Sequence, residues 1–251
     1  MHIHKLKLVT FDVTDTLLAF RKSPGQYYAD IAAKHGVICD SKKLTKNFKT
    51  HFKNLSKTHP NYGLSTGLGW ENWWKQLIRK TIEDCNSTID VKKLNSISYD
   101  LINAYETFSC WKHCNGALDL LSYLKHKGFT LGVISNFDPR LSATLENARI
   151  RHYFNFVITS YEAGFEKPNP NIFKVAMELS NINDLKSEEC LHVGDSHSLD
   201  YEGAENAGWN AVLVSSNNED FKVKYTFPSL FDFHRYIVDI NGEKLFLKTK
   251  S

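Results

Sequence analysis

Asp12, Ser135, Lys167, Asp195 and Asp200 are the residues of this 251-residue chain whose types and placing could do chemistry together. Asp12 and Ser135 close apolar runs, Gly194-Asp195 closes another, and Lys167 stands in the loop behind a fourth. A carboxylate such as Asp12 can attack phosphorus and carry the phosphoryl group as an aspartyl-phosphate. Magnesium takes hard oxygen ligands in octahedral geometry and keeps waters, so Asp12, Asp195 and one main-chain carbonyl suit it. Asp200 is a further ligand or the partner of one. The Ser135 hydroxyl and the Lys167 ammonium suit the remaining phosphate oxygens, where donors and positive charge stabilise the transferring group. One surface carboxylate means little, but four run ends carrying such groups point to phosphoryl transfer on a small phosphorylated molecule.

These residues meet only if the runs before them are neighbouring strands. Residues 6–11 read as a buried strand, as do 129–134, 154–159, 190–193 and 209–214. Helical stripes lie between them. Ala117, Leu120, Leu121 and Leu124 stop at Gly128; Leu141, Leu145 and Ala148 follow; Ile172, Phe173, Ala176 and Met177 stand behind an opening Asn169-Pro170. Ser229 caps a last helix bearing Leu230, Phe233 and Ile237. Such alternation predicts an α/β fold, a Rossmann-like doubly wound parallel sheet. Its functional crevice lies at the carboxyl ends of the strands. Residues 20–111 interrupt the alternation with a helical pattern, in which Trp70, Trp73, Trp74, Leu77 and Ile78 recur at i, i+3, i+4. The expected organisation is a core of residues 1–19 and 112–251 with a helical domain, 20–111, inserted after the first strand.

Composition narrows the partners. With 31 Lys+Arg against 28 Asp+Glu the formal charge is +3, and no long run of like charge points to nucleic acid. At 42% apolar and 24% charged the chain reads as an ordinary globular protein. No apolar run approaches the roughly 18 residues of a membrane span, and the N-terminus enters a strand without a secretory signal. A cytoplasmic protein with no membrane partner is the expectation. Five cysteines without regular spacing read as free thiols.

Segment by segment, the chain resembles the haloacid dehalogenase superfamily of hydrolases. Phe11-Asp12 through Leu17 is similar to the nucleophile loop, and Ser135 to the phosphate-binding hydroxyl. Lys167-Pro168 is similar to the family lysine, and Gly194-Asp195 with Asp200 to the acidic metal motif. The helical insert matches the family's C1-type cap. Asp12-Val13 with Asp15-Thr16-Leu17-Leu18, Asn61-Tyr62-Gly63-Leu64 and Ile134-Ser135-Asn136-Phe137-Asp138 resemble the animal subfamily called haloacid dehalogenase-like hydrolase domain-containing three. The resemblance implies a magnesium-dependent hydrolase with Asp12 as nucleophile.

One position departs from it. The family's phosphatases carry Asp-x-Asp-Gly-Thr, whose second Asp is the general acid and base; here Thr14 and Asp15 follow Val13. Threonine exchanges no proton near neutral pH, a loss of about 10²–10⁴-fold in rate, although its main-chain carbonyl can still meet the metal. Asp15 replaces the acid only in a rearranged loop and is otherwise a turn residue. Three readings follow. The first is a phosphatase with weakened acid–base assistance, better on aryl or acyl phosphates, whose leaving groups need no proton. The second is a non-catalytic protein that binds a phosphorylated ligand or a protein partner. The third is a haloacid dehalogenase, although that branch dispenses with magnesium and with the acidic motif retained at Asp195 and Asp200. Among lesser candidates, Asn136 orients its loop or touches phosphate, Asp138 caps the next helix, Glu162 supports Lys167, and His197 sits at the rim. Tyr62, Trp73 and Trp74 read as helix packing, and Lys244 to Lys250 as a frayed basic end.

Overall fold

Alternate residues of the first strand face opposite sides of a sheet, and both sides are apolar. Val9 and Phe11 pack with Leu120, Leu121, Leu124 and Phe233, whereas Leu8 packs with Ile134, Ile158, Ile172 and Phe173. A strand buried on both faces needs helices on both faces, and the computed structural model, which describes residues 5–216 and 223–240, has that arrangement. The chain runs through β1 (Leu8–Phe11) and β2 (Leu18–Phe20), then α1 (Pro24–Lys34), α2 (Ser41–Thr58), α3 (Pro60–Gly63), α4 (Trp70–Glu83) and α5 (Val91–Ala104). After β3 (Trp111–His113) come α6 (Ala117–His126), β4 (Thr130–Ser135), α7 (Leu141–Asn147), β5 (Phe156–Thr159), α8 (Ser160–Ala163) and α9 (Pro170–Leu179). It closes with β6 (Cys190–Gly194), a π-helical turn at His197–Tyr201, α10 (Glu202–Asn206), β7 (Asn210–Val214), β8 (Thr226–Phe227) and α11 (Leu230–Ile240).

Six strands form one parallel sheet in the order β5-β4-β1-β6-β7-β8. Phe11 is level with Val133 on one side and Val193 on the other, so β1, β4 and β6 release their chains at one height. The order reverses at β1, where open α/β sheets bind ligands. Leu6 is buried just ahead of β1, which makes the strand shorter than the 6–11 expected from apolarity alone. The expected helix starts are present: Asn169 and Ser229 accept from Asn171 and Asp232 main-chain N–H groups.

Between β2 and β3 the helices build their own core. Tyr28, Ile31, Leu44, Ile78, Ile82, Leu94, Ile97 and Leu101 form one buried cluster, each full burial stabilising by about 1.5–3 kcal/mol. Ser23, Asp40 and Asp90 cap α1, α2 and α5 by accepting from Gln26, Lys43 and Lys92 N–H groups. The chain enters and leaves these helices through the antiparallel β2–β3 ribbon, which pairs Leu18 with His113 and Phe20 with Trp111. The residue limits 19/20 and 111/112 fall inside that ribbon, whose three-residue strands are too short to give a periodic signal. Among the described residues no helix is long and apolar enough to cross a membrane. The basic segment Lys244 to Lys250 lies outside the described residues.

Candidate active site

Asp12 follows β1 directly, and its N–H donates to Val193 O at 2.9 Å, so it emerges between β4 and β6. It is 7% exposed. Into the same place reaches Lys167, whose ammonium spends all three of its donors there. Nζ donates to Asp12 Oδ1 at 2.7 Å, to Asp200 Oδ1 at 2.6 Å and to Ile134 O at 2.7 Å. The loop that carries Lys167 is held by Asn136. Asn136 Oδ1 accepts from Lys167 N–H at 2.7 Å, while its Nδ2 donates to Lys167 O at 3.0 Å. Of the two roles expected for Asn136, loop orientation is the one its bonds display. Ser135, at the end of β4, is buried and hydrogen-bonds Asp12.

The acidic motif closes the other side. One carboxylate oxygen each from Asp12, Asp195 and Asp200 lie within 4.8 Å of one another. Asp200 reaches this position because the chain turns back through the π-helical turn, with Ser196 N–H donating to Asp200 Oδ2 at 2.9 Å. That path runs over Gly194, where any Cβ would collide with the Asp200 carboxylate. Thr16 Oγ1 donates to Asp195 Oδ1 at 3.3 Å. Thr14 is half-buried and bridges to Leu18; Asp15 is exposed, with a left-handed backbone at φ +61°.

Three carboxylates around one ammonium leave an excess of negative charge. Burial pushes the Asp12 carboxyl up to about 6; Lys167 opposes the rise and the Asp200 charge adds to it. Asp195 rises to about 7 through burial first, then through the charges of Asp12, Asp200 and Asp15. Burial also works against ionised Asp200, but Lys167 and His192 outweigh it and hold this carboxyl below its usual range. Lys167 would be neutralised by burial were it not for Asp12 and Asp200, which raise it instead. An oxygen-only donor set with surplus negative charge is the chemistry a hard divalent cation requires, so Asp12, Asp195 and Asp200 fit magnesium.

His192 escaped the sequence reading. It lies on β6 opposite Thr10, its Nδ1 2.8 Å from Thr10 Oγ1 and its Nε2 3.1 Å from Asp200 Oδ1. Its signal was available, since it is the one polar side chain in the apolar run Cys190 to Val193. One expectation is incomplete and another needs correction. Asp138 does meet the start of α7, its Oδ1 accepting from the Arg140 main-chain N–H at 3.1 Å just ahead of the helix, but it does more than that. It is fully buried and accepts from Arg140 Nε at 2.9 Å, Arg140 Nη2 at 2.7 Å and Trp74 Nε1 at 2.7 Å. A carboxylate with no water around it must be paired and hydrogen-bonded, which one main-chain donor alone would not provide. Glu162 does not support Lys167: it accepts from Thr159 Oγ1 at 2.7 Å in the first turn of α8. His197 stacks on Tyr201 at the rim.

Comparison with known proteins adds the family and the fold. Residues 6–208 match the family described as haloacid dehalogenase-like hydrolase. The chain is 42% identical to the rhythmically expressed gene 2 protein of Drosophila melanogaster, over 94% of this chain and 97% of that one. It is 36% identical to haloacid dehalogenase-like hydrolase domain-containing protein 3 of Bos taurus, over 85% of this chain and 84% of that one. In fold it is similar to magnesium-bound YfnB of Bacillus subtilis, with a TM-score of 0.71 at 18% identity, covering 94% of this chain and 99% of that chain. A buried lysine between two aspartates, a third aspartate beside them, and a family match spanning most of the chain lead to one conclusion: the protein belongs to the haloacid dehalogenase-like hydrolase family.

Proposed function

We propose that this hydrolase cleaves a small phosphorylated molecule with the help of magnesium, through an aspartyl-phosphate on Asp12. The observation that carries the reading is the convergence of Asp12, Asp195 and Asp200 within 4.8 Å, beside the Lys167 ammonium. When bound, magnesium would draw charge from the transferring phosphate. An Asp12 carboxylate oxygen forms the new bond to phosphorus while the bond from phosphorus to the leaving oxygen breaks, the electron pair going with that oxygen. Ser135 holds a phosphate oxygen in this step, and Lys167 holds another by exchanging for it the hydrogen bond it donates to Ile134 O. Thr14 has no proton to give, so the leaving oxygen is protonated by water, and good leaving groups are favoured. Water then attacks phosphorus, releases its proton to solvent, and restores Asp12 with inorganic phosphate as product. The inserted helices act as a cap that excludes bulk water from the crevice.

The test is magnesium-dependent phosphate release from phenyl phosphate and acetyl phosphate by the wild type, Asp12→Asn and Thr14→Asp. Turnover by the wild type and none by Asp12→Asn supports the reading. Thr14 itself favours a second reading, binding without catalysis; an inert wild type beside an active Thr14→Asp would make that one the leading function. If both are inert, hydrolysis of aryl and acyl phosphates is excluded.

A further inference from the structure

Between the inserted helices and the carboxyl ends of the strands lies a cavity of about 420 Å³, a size that suits a small organic molecule. Thr14, Asn136 and Leu199 line it, so its inner wall is built from neighbours of Asp12, Ser135 and Asp200. The rest of the wall is largely aromatic and includes Phe20, Tyr28, Phe52, Tyr62, Trp74 and Trp111. Three of these rings have their polar edges engaged: Tyr62 OH donates to Asn136 O at 2.8 Å, Trp74 Nε1 to Asp138 Oδ2 at 2.7 Å and Trp111 Nε1 to Tyr105 O at 2.7 Å. Tyr62 and Trp74 are stacked at 6.0 Å between ring centroids. Rings fixed in this way give flat apolar surface and few polar contacts, which suits another ring.

Among the described residues two polar groups of that wall are buried without a partner, the Tyr105 hydroxyl, which can donate or accept, and the Asn61 carbonyl oxygen, which can only accept. Asn61 is 8% exposed, and its Nδ2 donates to Ser160 O at 2.7 Å. Its Oδ1 has no hydrogen-bond partner among the described residues, although the residue lines the cavity. A buried carbonyl oxygen left without a donor costs about 1–3 kcal/mol. Glu166 lines the cavity beside it and accepts from the Asn61 main-chain N–H. Both groups are acceptors, so this corner of the cavity calls for a donor from the ligand. Thr14 adds an independent constraint, because a leaving group that receives no proton must be a weak base. A phenol ionises near pH 10, as tyrosine does, and its oxygen leaves far more readily than an alkoxide.

We propose that the cavity holds the ring of an aryl phosphate, and that the ring carries an amino or hydroxyl donor for Asn61 Oδ1. The placing of the phosphate rests on the phosphohydrolase reading above, whereas the ring and donor preferences rest on the cavity alone. Phosphonates separate the two, because their carbon–phosphorus bond survives Asp12. The full chain with magnesium is titrated calorimetrically with methylphosphonate, phenylphosphonate, 4-methylphenylphosphonate and 3- and 4-aminophenylphosphonate. Phenylphosphonate is expected to bind about tenfold or more tighter than methylphosphonate through the apolar area it buries. The better aminophenyl isomer is expected to bind about 3–10-fold tighter than the methylphenyl compound, the range of one added hydrogen bond. In Asn61→Ala the amino advantage disappears while the phenyl advantage persists, which also shows that the variant is folded. If that variant does not fold, the wild-type ratios decide. A phenyl-to-methyl or an amino-to-methyl ratio near one in the wild type overturns the proposal, as does no binding by any of the five. A ring preference in a protein that releases no phosphate would leave this inference standing and sink only the catalytic one.

Discussion

Replacing Lys167 by methionine removes a charge but little volume, and its effect can be worked out from the contacts. The ammonium is 2.7 Å from Asp12 Oδ1, 2.6 Å from Asp200 Oδ1 and almost completely buried. Taking one partner from a buried ion pair strands the other, at a cost of about 3–5 kcal/mol. At about 2–4 °C per kcal/mol for a chain of this size, the melting temperature should fall by about 6–20 °C. The pH dependence has a definite sign. Lys167 lowers the pKa values of Asp12 and Asp200, so in the variant both rise. Asp12 stands at about 6 even with the lysine in place, above its unfolded value of about 3.9. A carboxyl whose folded pKa is raised supports the fold at low pH and loses that contribution as pH rises through the folded value. The deficit of the variant should therefore be largest at pH 7.5 and smaller at pH 5. Thermal melts by circular dichroism at both pH values, without magnesium, measure it. A deficit under about 1 kcal/mol at pH 7.5, or one that widens as the pH falls, would refute the claim that Lys167 neutralises this cluster.

Two further substitutions probe the scaffold around the carboxylates. Gly194→Ala forces the Asp200 carboxylate aside; the magnesium concentration that half-saturates the rise in melting temperature should increase about 10–100-fold, and an unchanged value would separate Asp200 from the metal. Asp138→Asn leaves Arg140 with a weakened partner at a side chain only 10% exposed, so denaturant titration should show a loss approaching 3–5 kcal/mol, accompanied by a shift in tryptophan emission because Trp74 loses its charged acceptor.

The parallel sheet was legible because burial on both faces leaves a distinctive trace, a mostly apolar run such as Cys190 to Val193, broken only by His192 and closed by a glycine and an acid. Once such runs are strands of one sheet, Asp12, Ser135 and Asp195 must share a rim, whatever the loops do. What did not show in the sequence depends on contacts made across the fold. Asn61 meets Ser160 only because α3 lies against α8, and no local pattern encodes a separation of that kind. The helical spacing of Trp73 and Trp74 predicts that both are packed, yet it does not reveal that Trp74 donates to Asp138 and lines a cavity. The pairing of Asp138 with the Arg140 guanidinium was missed for the opposite reason: an acid just before a helix has an ordinary local use as a cap, and Asp138 keeps that use while its burial demands the guanidinium as well.

The loop between β1 and β2 bears on whether acid–base chemistry could be regained from within. Val13 O accepts N–H bonds from Thr16 at 3.3 Å and from Leu17 and Leu18 at 2.9 Å, while Asp15 N–H donates to Leu18 O at 2.8 Å. Asp15 thus occupies the tip of a bonded turn in a left-handed conformation. Bringing its carboxyl to where the Thr14 side chain stands would break several of these bonds at once. Its charge nevertheless raises the pKa of Asp195, so it belongs to the electrostatics of the site without occupying the acid's position. The deficiency lies in the composition of the loop and not in its shape, since Thr14 lines the cavity where a proton donor would have to stand. This is why Thr14→Asp is the informative substitution: it changes the one property the loop lacks and leaves the backbone that positions Asp12 unaltered.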